Sequence, residues 1–138
     1  MAEELDTIVE YSVDLKNQEA PIPLPVGEYR AQIRNVEVRM SQRDTKYAAV
    51  SFWISPDQYP ADFTEGSEDG ETIVYRRVPL EDNPKSRFQC KQFLEAIEAP
   101  ISNRIDTTQW NGLSALVGIT HEEWEGMPRA NITKVSRV

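Results

Sequence analysis

The stretch GEYRAQIRNVEVRM, Gly27 to Met40, decides the fold. Tyr29, Ala31 and Ile33 alternate with Arg30, Gln32 and Arg34, the period of two of a half-buried strand. After Asn35 the phase flips, and Val36, Val38 and Met40 become the apolar set. A flip inside one long strand predicts a β-bulge, which bends and twists the sheet. A long, curved first strand suits a small closed barrel.

Outward from that strand, SQRDTK (41–46) reads as a polar turn and KYAAVSFWIS (46–55) as a second strand. Its apolar face is Val50, Phe52 and Ile54, and its other face carries Tyr47, Ser51 and Trp53. PDQYPADFTEGSEDG (56–70) is a long polar loop, and ETIVYRRVPL (71–80) is a third strand with Arg76 and Arg77 in its middle. Asn83-Pro84 opens a helix in which Cys90, Phe93, Leu94 and Ile97 follow helical spacing, and Pro100 ends it. Alternation returns through Leu113, Ala115, Val117 and Ile119, and the β-branched MPRANITKVSRV (127–138) follows a Glu125-Gly126 turn. The expected order is β-β-β-α-β-β, a mainly-β chain with one helix between strands 3 and 4. That order matches the OB-fold, a five-stranded Greek-key barrel that binds oligonucleotides on its strand 2–3 face. An SH3-like or other small α+β barrel is the runner-up.

With 138 residues, a single domain with its own core is expected. It divides into an acidic, flexible arm over 1–23 and an OB-like domain over 24–138. The formal charge of −8 argues at face value against nucleic acid, whose phosphates need Lys and Arg. The charge is segregated, however. Residues 1–20 hold Glu3, Glu4, Asp6, Glu10, Asp14 and Glu19 against Lys16, which sums to −5. Residues 57–71 hold Asp57, Asp62, Glu65, Glu68, Asp69 and Glu71 with no base, which sums to −6. The remainder sums to +3. Such runs are ordinarily solvated and mobile; the sharper alternative is a partner-binding or self-inhibiting element. No stretch is long and apolar enough to span a membrane, and the acidic start lacks the marks of a signal peptide. Cys90 is the single cysteine, so a reducing, cytoplasmic setting is expected.

Catalytic signals are weak. His121 is the single histidine, which leaves no Cys/His or multi-His metal set. Cys90 lies on the apolar stripe of the helix and reads as a structural thiol. No P-loop occurs, and the acids of 57–71 lack the spacing of an EF-hand loop. The expectation is no enzyme, no metal and no cofactor.

Single-strand binders combine a positive groove with aromatic platforms, because every base has a π-face and every nucleotide a phosphate. Arg30, Arg34 and Arg39 lie on the polar side of strand one, and the turn adds Arg43 and Lys46. Strand two offers Tyr47 and Trp53, and strand three Tyr75, Arg76 and Arg77. Strand three's phase is ambiguous: Ile73 and Tyr75, or Val74 and Val78, face inward. Arg76 favours the first, since the second would bury its charge unpaired.

LPVGEYRAQIRNVEV, KQFLEAIEA and WNGLSALVGITHEEWEGMPRANITKV together resemble a family of bacteriophage-encoded OB-fold proteins of the single-stranded DNA-binding type. The resemblance rests on Leu24, Pro25, Gly27 and Tyr29; on Phe93, Leu94 and Ala96; and on Gly112, Leu113, Glu123, Trp124, Glu125, Gly126, Asn131 and Ile132. It spans residues 24–138 and implies a protein of phage replication or recombination that coats single strands without sequence preference. Such proteins often carry an acidic C-terminal tail for recruitment. Here the acids lie at the N-terminus and in the 57–71 loop instead. The expected partners are single-stranded DNA, replication or recombination proteins of phage or host met through the acidic segments, and a second copy in a homodimer. The rival reading makes the acids the working surface of a protein-interaction module or DNA mimic.

Overall fold

A computed structural model describes residues 7–138; residues 1–6 of the acidic arm lie outside the described part. Five strands and one long helix follow in the expected order: β1 (Gly27–Met40), β2 (Lys46–Ile54), β3 (Glu71–Pro79), α1 (Pro84–Ile97), β4 (Ser114–Trp124) and β5 (Met127–Ser136). All neighbouring strands run antiparallel, in the spatial order β3-β2-β1-β4-β5. Strands consecutive in the chain pair with one another except β3 and β4: after α1, β4 returns beside β1. Hydrogen bonding makes an open sheet with β3 and β5 at its edges, not the closed ladder expected of a barrel. The two edges nevertheless approach, with Cα atoms within 8 Å of one another.

The predicted bulge is present. Ile33 pairs with Phe52 and Asn35 with Ser51, so Arg34 is the extra residue. The bulge lets β1 turn away from one neighbour towards the other. Its first part, Gly27 to Gln32, pairs with β4, and from Ala31 onward it pairs with β2. Tyr29, Ala31 and Ile33 are buried, and Val36 packs on the core after the phase change. Val38 and Met40 share that phase but remain exposed, because β1 outruns the core there.

The core fills the space between the inner sheet face and α1. Val50, Phe52, Ile54, Val78, Val117, Ile119 and Ile132 are all essentially buried. The helix starts at Asn83, whose Oδ1 accepts the Ser86 N–H at 2.9 Å, with Pro84 in the first turn. It ends at Glu98 in the left-handed region, followed by the Ala99 N–H donating to the Leu94 carbonyl. The exposed Arg87 and Lys91 of this helix pair with Asp82 and Glu95. Trp110, from the connection after α1, is 1% exposed, with its ring centre 5.4 Å from that of Phe93.

The 57–71 loop departs from the expectation of a mobile segment. Phe63 is buried in the core, and Tyr59 meets it edge-on at 5.1 Å. A Cβ on Gly66 would lie 2.5 Å from the Tyr59 ring, so this turn closes only around a glycine. Glu65 accepts the Ile22 N–H at 2.7 Å and ties the loop to the arm. The loop's charges are exposed except for the half-buried Glu71, but its backbone is anchored.

Candidate nucleic-acid interface

The sheet face away from α1 is laid out by strand register. Trp53 stands between Gln32 and Thr72, Ser51 between Asn35 and Val74, and Tyr47 between Arg39 and Pro79. Ala49 faces Glu37 on one side. On the other, Ala48 pairs with Val78 and Val50 with Tyr75, so Arg76 and Arg77 both stand opposite Ala49. That is a second bulge, and it explains how two consecutive arginines are both exposed while Tyr75 and Val78 turn inward. Small Ala49 and Ser51 thus form the floor between two aromatics, with bases on both flanks.

Arg34 lies over Trp53, its guanidinium carbon 4.1 Å from the ring centre. The indole Nε1–H donates to the Asp69 carbonyl at 2.8 Å, which fixes the ring plane. Gly70 makes this seat possible: it adopts φ +92, and a Cβ there would lie 2.4 Å from the indole nitrogen. At the other end, Arg39 forms an ion pair with Glu37 and stands beside Tyr47. Hydrogen bonding to Glu37 raises the Arg39 guanidinium above its ordinary value, and Tyr47 adds to the effect. Arg43 and Lys46 occupy the β1–β2 turn, both exposed. Among the described residues, Arg30, Arg34, Arg43, Lys46, Arg76 and Arg77 form no ion pair. Their charge is therefore not spent inside the molecule.

Of the residues singled out from sequence, Arg34, Arg39, Tyr47, Trp53, Arg76 and Arg77 come together on this face, with Arg43 and Lys46 at its turn. Arg30 lies past the Trp53 end, beside β4. Tyr75 is not among them. Its ring stacks on Phe93 at 6.0 Å and 22°, on the core side, and burial raises its pKa above 10.0. Ile73 and Tyr75 pack on the core, as the first alternative has it, but beyond the bulge Val78 of the second alternative is buried as well.

Two features were not assigned to the interface by sequence reading. Trp124 and Met127 close the β4–β5 hairpin, whose Glu125 and Gly126 both have positive φ, as a type I′ turn requires. Trp124 is exposed, with Arg129 over its ring at 4.4 Å and Glu122 pairing Arg129. Glu122 and Arg129 share a cleft of about 170 Å³ with Arg76, so the hairpin adjoins the bulge of β3. The turn and the spacing of Arg129 are visible in the sequence; the nearness to β3 is not, because it depends on how the sheet curls. The second feature is Gln58. Its side chain accepts the Arg30 N–H at 2.8 Å and donates to the Arg30 carbonyl at 2.6 Å, standing in for a strand where β2 has ended. No local signal marks such a residue.

Cys90 is half-buried, and burial pushes its thiol up, away from the reactive thiolate. His121 bonds the Leu24 carbonyl through Nε2 at 2.8 Å and holds the start of the domain against β4. Among the described residues, no three His, Cys, Asp or Glu side chains form a metal-binding group, and no helix is long and apolar enough to cross a membrane. No protein-family model matches the chain, and no curated protein matches it either.

Proposed function

We propose that this chain is a non-enzymatic, sequence-independent single-stranded DNA-binding protein of phage replication or recombination. The observation that carries the proposal is the outer face of β1, β2 and β3: two aromatics separated by a small-residue floor, with Arg34 stacked on Trp53 on one flank and, on the other, Arg76 and Arg77, which form no ion pair among the described residues. Phosphates would lie along Arg34, Arg43, Lys46, Arg76 and Arg77, and bases on Trp53 and Tyr47. The strand order supports an OB-like reading. β4 beside β1, with β2 and β3 beyond, is the order of a Greek key. Bringing the neighbouring β3 and β5 edges into register would close the barrel. The work of such a protein belongs in the cytoplasm of the phage's host.

The test is a fluorescence titration of oligo-dT at two salt concentrations. Binding should weaken with a slope of about −0.7 per phosphate neutralised. Absence of binding at low salt would overturn the proposal.

A second reading makes the acidic 57–71 loop a docking surface for a protein. The anchored Phe63 and Gly66 favour it, since they hold the acids on a fixed frame. Affinity for a basic protein partner with none for DNA would select that reading.

A further inference from the structure

Beside Trp53, a cleft of about 430 Å³ opens between β1 and the 3₁₀ turn Pro56–Gln58. That size lies within the ordinary range for small-molecule sites, roughly 300–1,000 Å³. Arg30, Gln32, Trp53, Asp57 and Ser114 line it. Two of these carry opposite charges, and among the described residues neither Arg30 nor Asp57 forms an ion pair or a side-chain hydrogen bond. A free carboxylate and a free guanidinium therefore line one cleft against an indole wall.

The cleft is also held in shape. The two bonds from Gln58 to the Arg30 backbone fasten the turn to β1, and Asp57 precedes Gln58 directly. Trp53 is fixed from the other side by the Asp69 carbonyl.

We infer that this cleft is a subsite for a guanine base within the bound strand. The inference rests on the single-stranded DNA reading above. Guanine presents two adjacent donors, N1–H and N2–H, that a carboxylate accepts together. It also presents two adjacent acceptors, O6 and N7, that a guanidinium fork matches. Adenine, cytosine and thymine each lack the paired donors. In this subsite Asp57 reads the donor edge and Arg30 the acceptor edge, while Trp53 contacts the ring. Gln58 is a positioning residue that keeps Asp57 in place. Coating thus remains general over most of the strand, with one position that favours guanine.

The experiment compares oligo-dT with oligonucleotides carrying a single dG, dI or dC at successive positions. For the wild type, dG at one position should tighten binding about fivefold or more over dT. Inosine, which lacks the N2 amino group, should recover only part of that gain, and dC should recover less. Asp57→Ala should abolish the preference while oligo-dT still binds. Gln58→Ala, which leaves the charge unchanged, should weaken the preference. Amide shifts of residues 30 and 57 should also respond to dGMP at lower concentration than to dTMP. If oligo-dT binds but dG gives no gain, or if the gain survives Asp57→Ala, the subsite is overturned and the general DNA reading stands. If oligo-dT fails to bind and dGMP shifts nothing, both are overturned.

Discussion

Arg34 rests on Trp53 because the β1 ladder skips it: it is the unpaired residue of the bulge, leaning diagonally over the aromatic of the next strand. A cation over an indole at such a half-exposed site is worth about 0.5–2 kcal/mol. A base that stacks on Trp53 therefore competes with Arg34 for the ring or adds to the stack. In the proposed complex Arg34 would in either case start beside both a base platform and the path of a phosphate.

Replacing Trp53 by alanine should lower oligo-dT affinity by about 1–3 kcal/mol, the value of one base platform. Arg34→Ala should reduce the salt slope by about 0.7, the share of one phosphate. Titrations of both variants at several salt concentrations check this. A full slope in Arg34→Ala would remove that residue from the phosphate path.

Gly70→Ala places a methyl group against the indole nitrogen and the Ile54 carbonyl, on a backbone with φ +92. The cost should be about 1–3 kcal/mol of stability, with a change in tryptophan emission as the ring loses its seat. Urea midpoints and emission spectra read the two effects. An unchanged midpoint would show that the loop yields freely.

Tyr75 and Tyr47 should separate cleanly. Tyr75→Ala removes a ring stacked on Phe93 and should cost roughly 3 kcal/mol of stability, with little effect on DNA affinity once the protein is folded. Tyr47→Ala should do the reverse, weakening DNA binding with a small shift in midpoint. An affinity loss confined to Tyr75→Ala would contradict the inward placement.

Alkaline pH should destabilise the fold through Tyr75. Burial raises its pKa from 10.0, and nearby Arg77 pulls it back only in part. The neutral phenol is thus favoured in the folded state. That contribution is fully present below 10.0 and is lost as pH climbs through the raised folded value. Tyr75→Phe keeps the ring and removes the titration, so its urea midpoint should fall less steeply above pH 10.0. Parallel curves for the two proteins would exclude Tyr75 as the source.

Removal of residues 1–20 takes away a charge of −5 and should tighten oligo-dT binding, more at low salt than at high salt. A looser complex would mean that the arm contributes contacts of its own.

Alternation carried much of this fold at the level of sequence. The phase flip at Asn35 marked the bulge, and the helical spacing of Phe93, Leu94 and Ile97 marked the face that α1 buries. The bases of β1 and β3 were legible for the same reason, since a charge on a strand points to water. What stayed hidden depends on contacts between distant segments. Trp110 fills the core from an irregular connection with no period to read. Phe63 looked like part of a solvated acidic run, although one buried ring anchors the whole loop. Alternation sets Tyr75 on the face opposite to Arg76, but that Arg77 also stays outside depends on the second bulge, which no local pattern marks. Asp57 and Arg30 line one cleft beside a turn whose path no local pattern announces.

The shared position of β1 divides the molecule mechanically. Ala31 and Gln32 have strands on both flanks, whereas the hairpin from Thr120 to Asn131 is paired only within itself. Amide exchange should find a slow seam along the middle of β1 and a hairpin tip that opens without the rest. Trp53 pairs with the seam at Gln32, and Trp124 rides on the tip. A strand gripped at the seam would feel a rigid jaw on one side and a yielding one on the other.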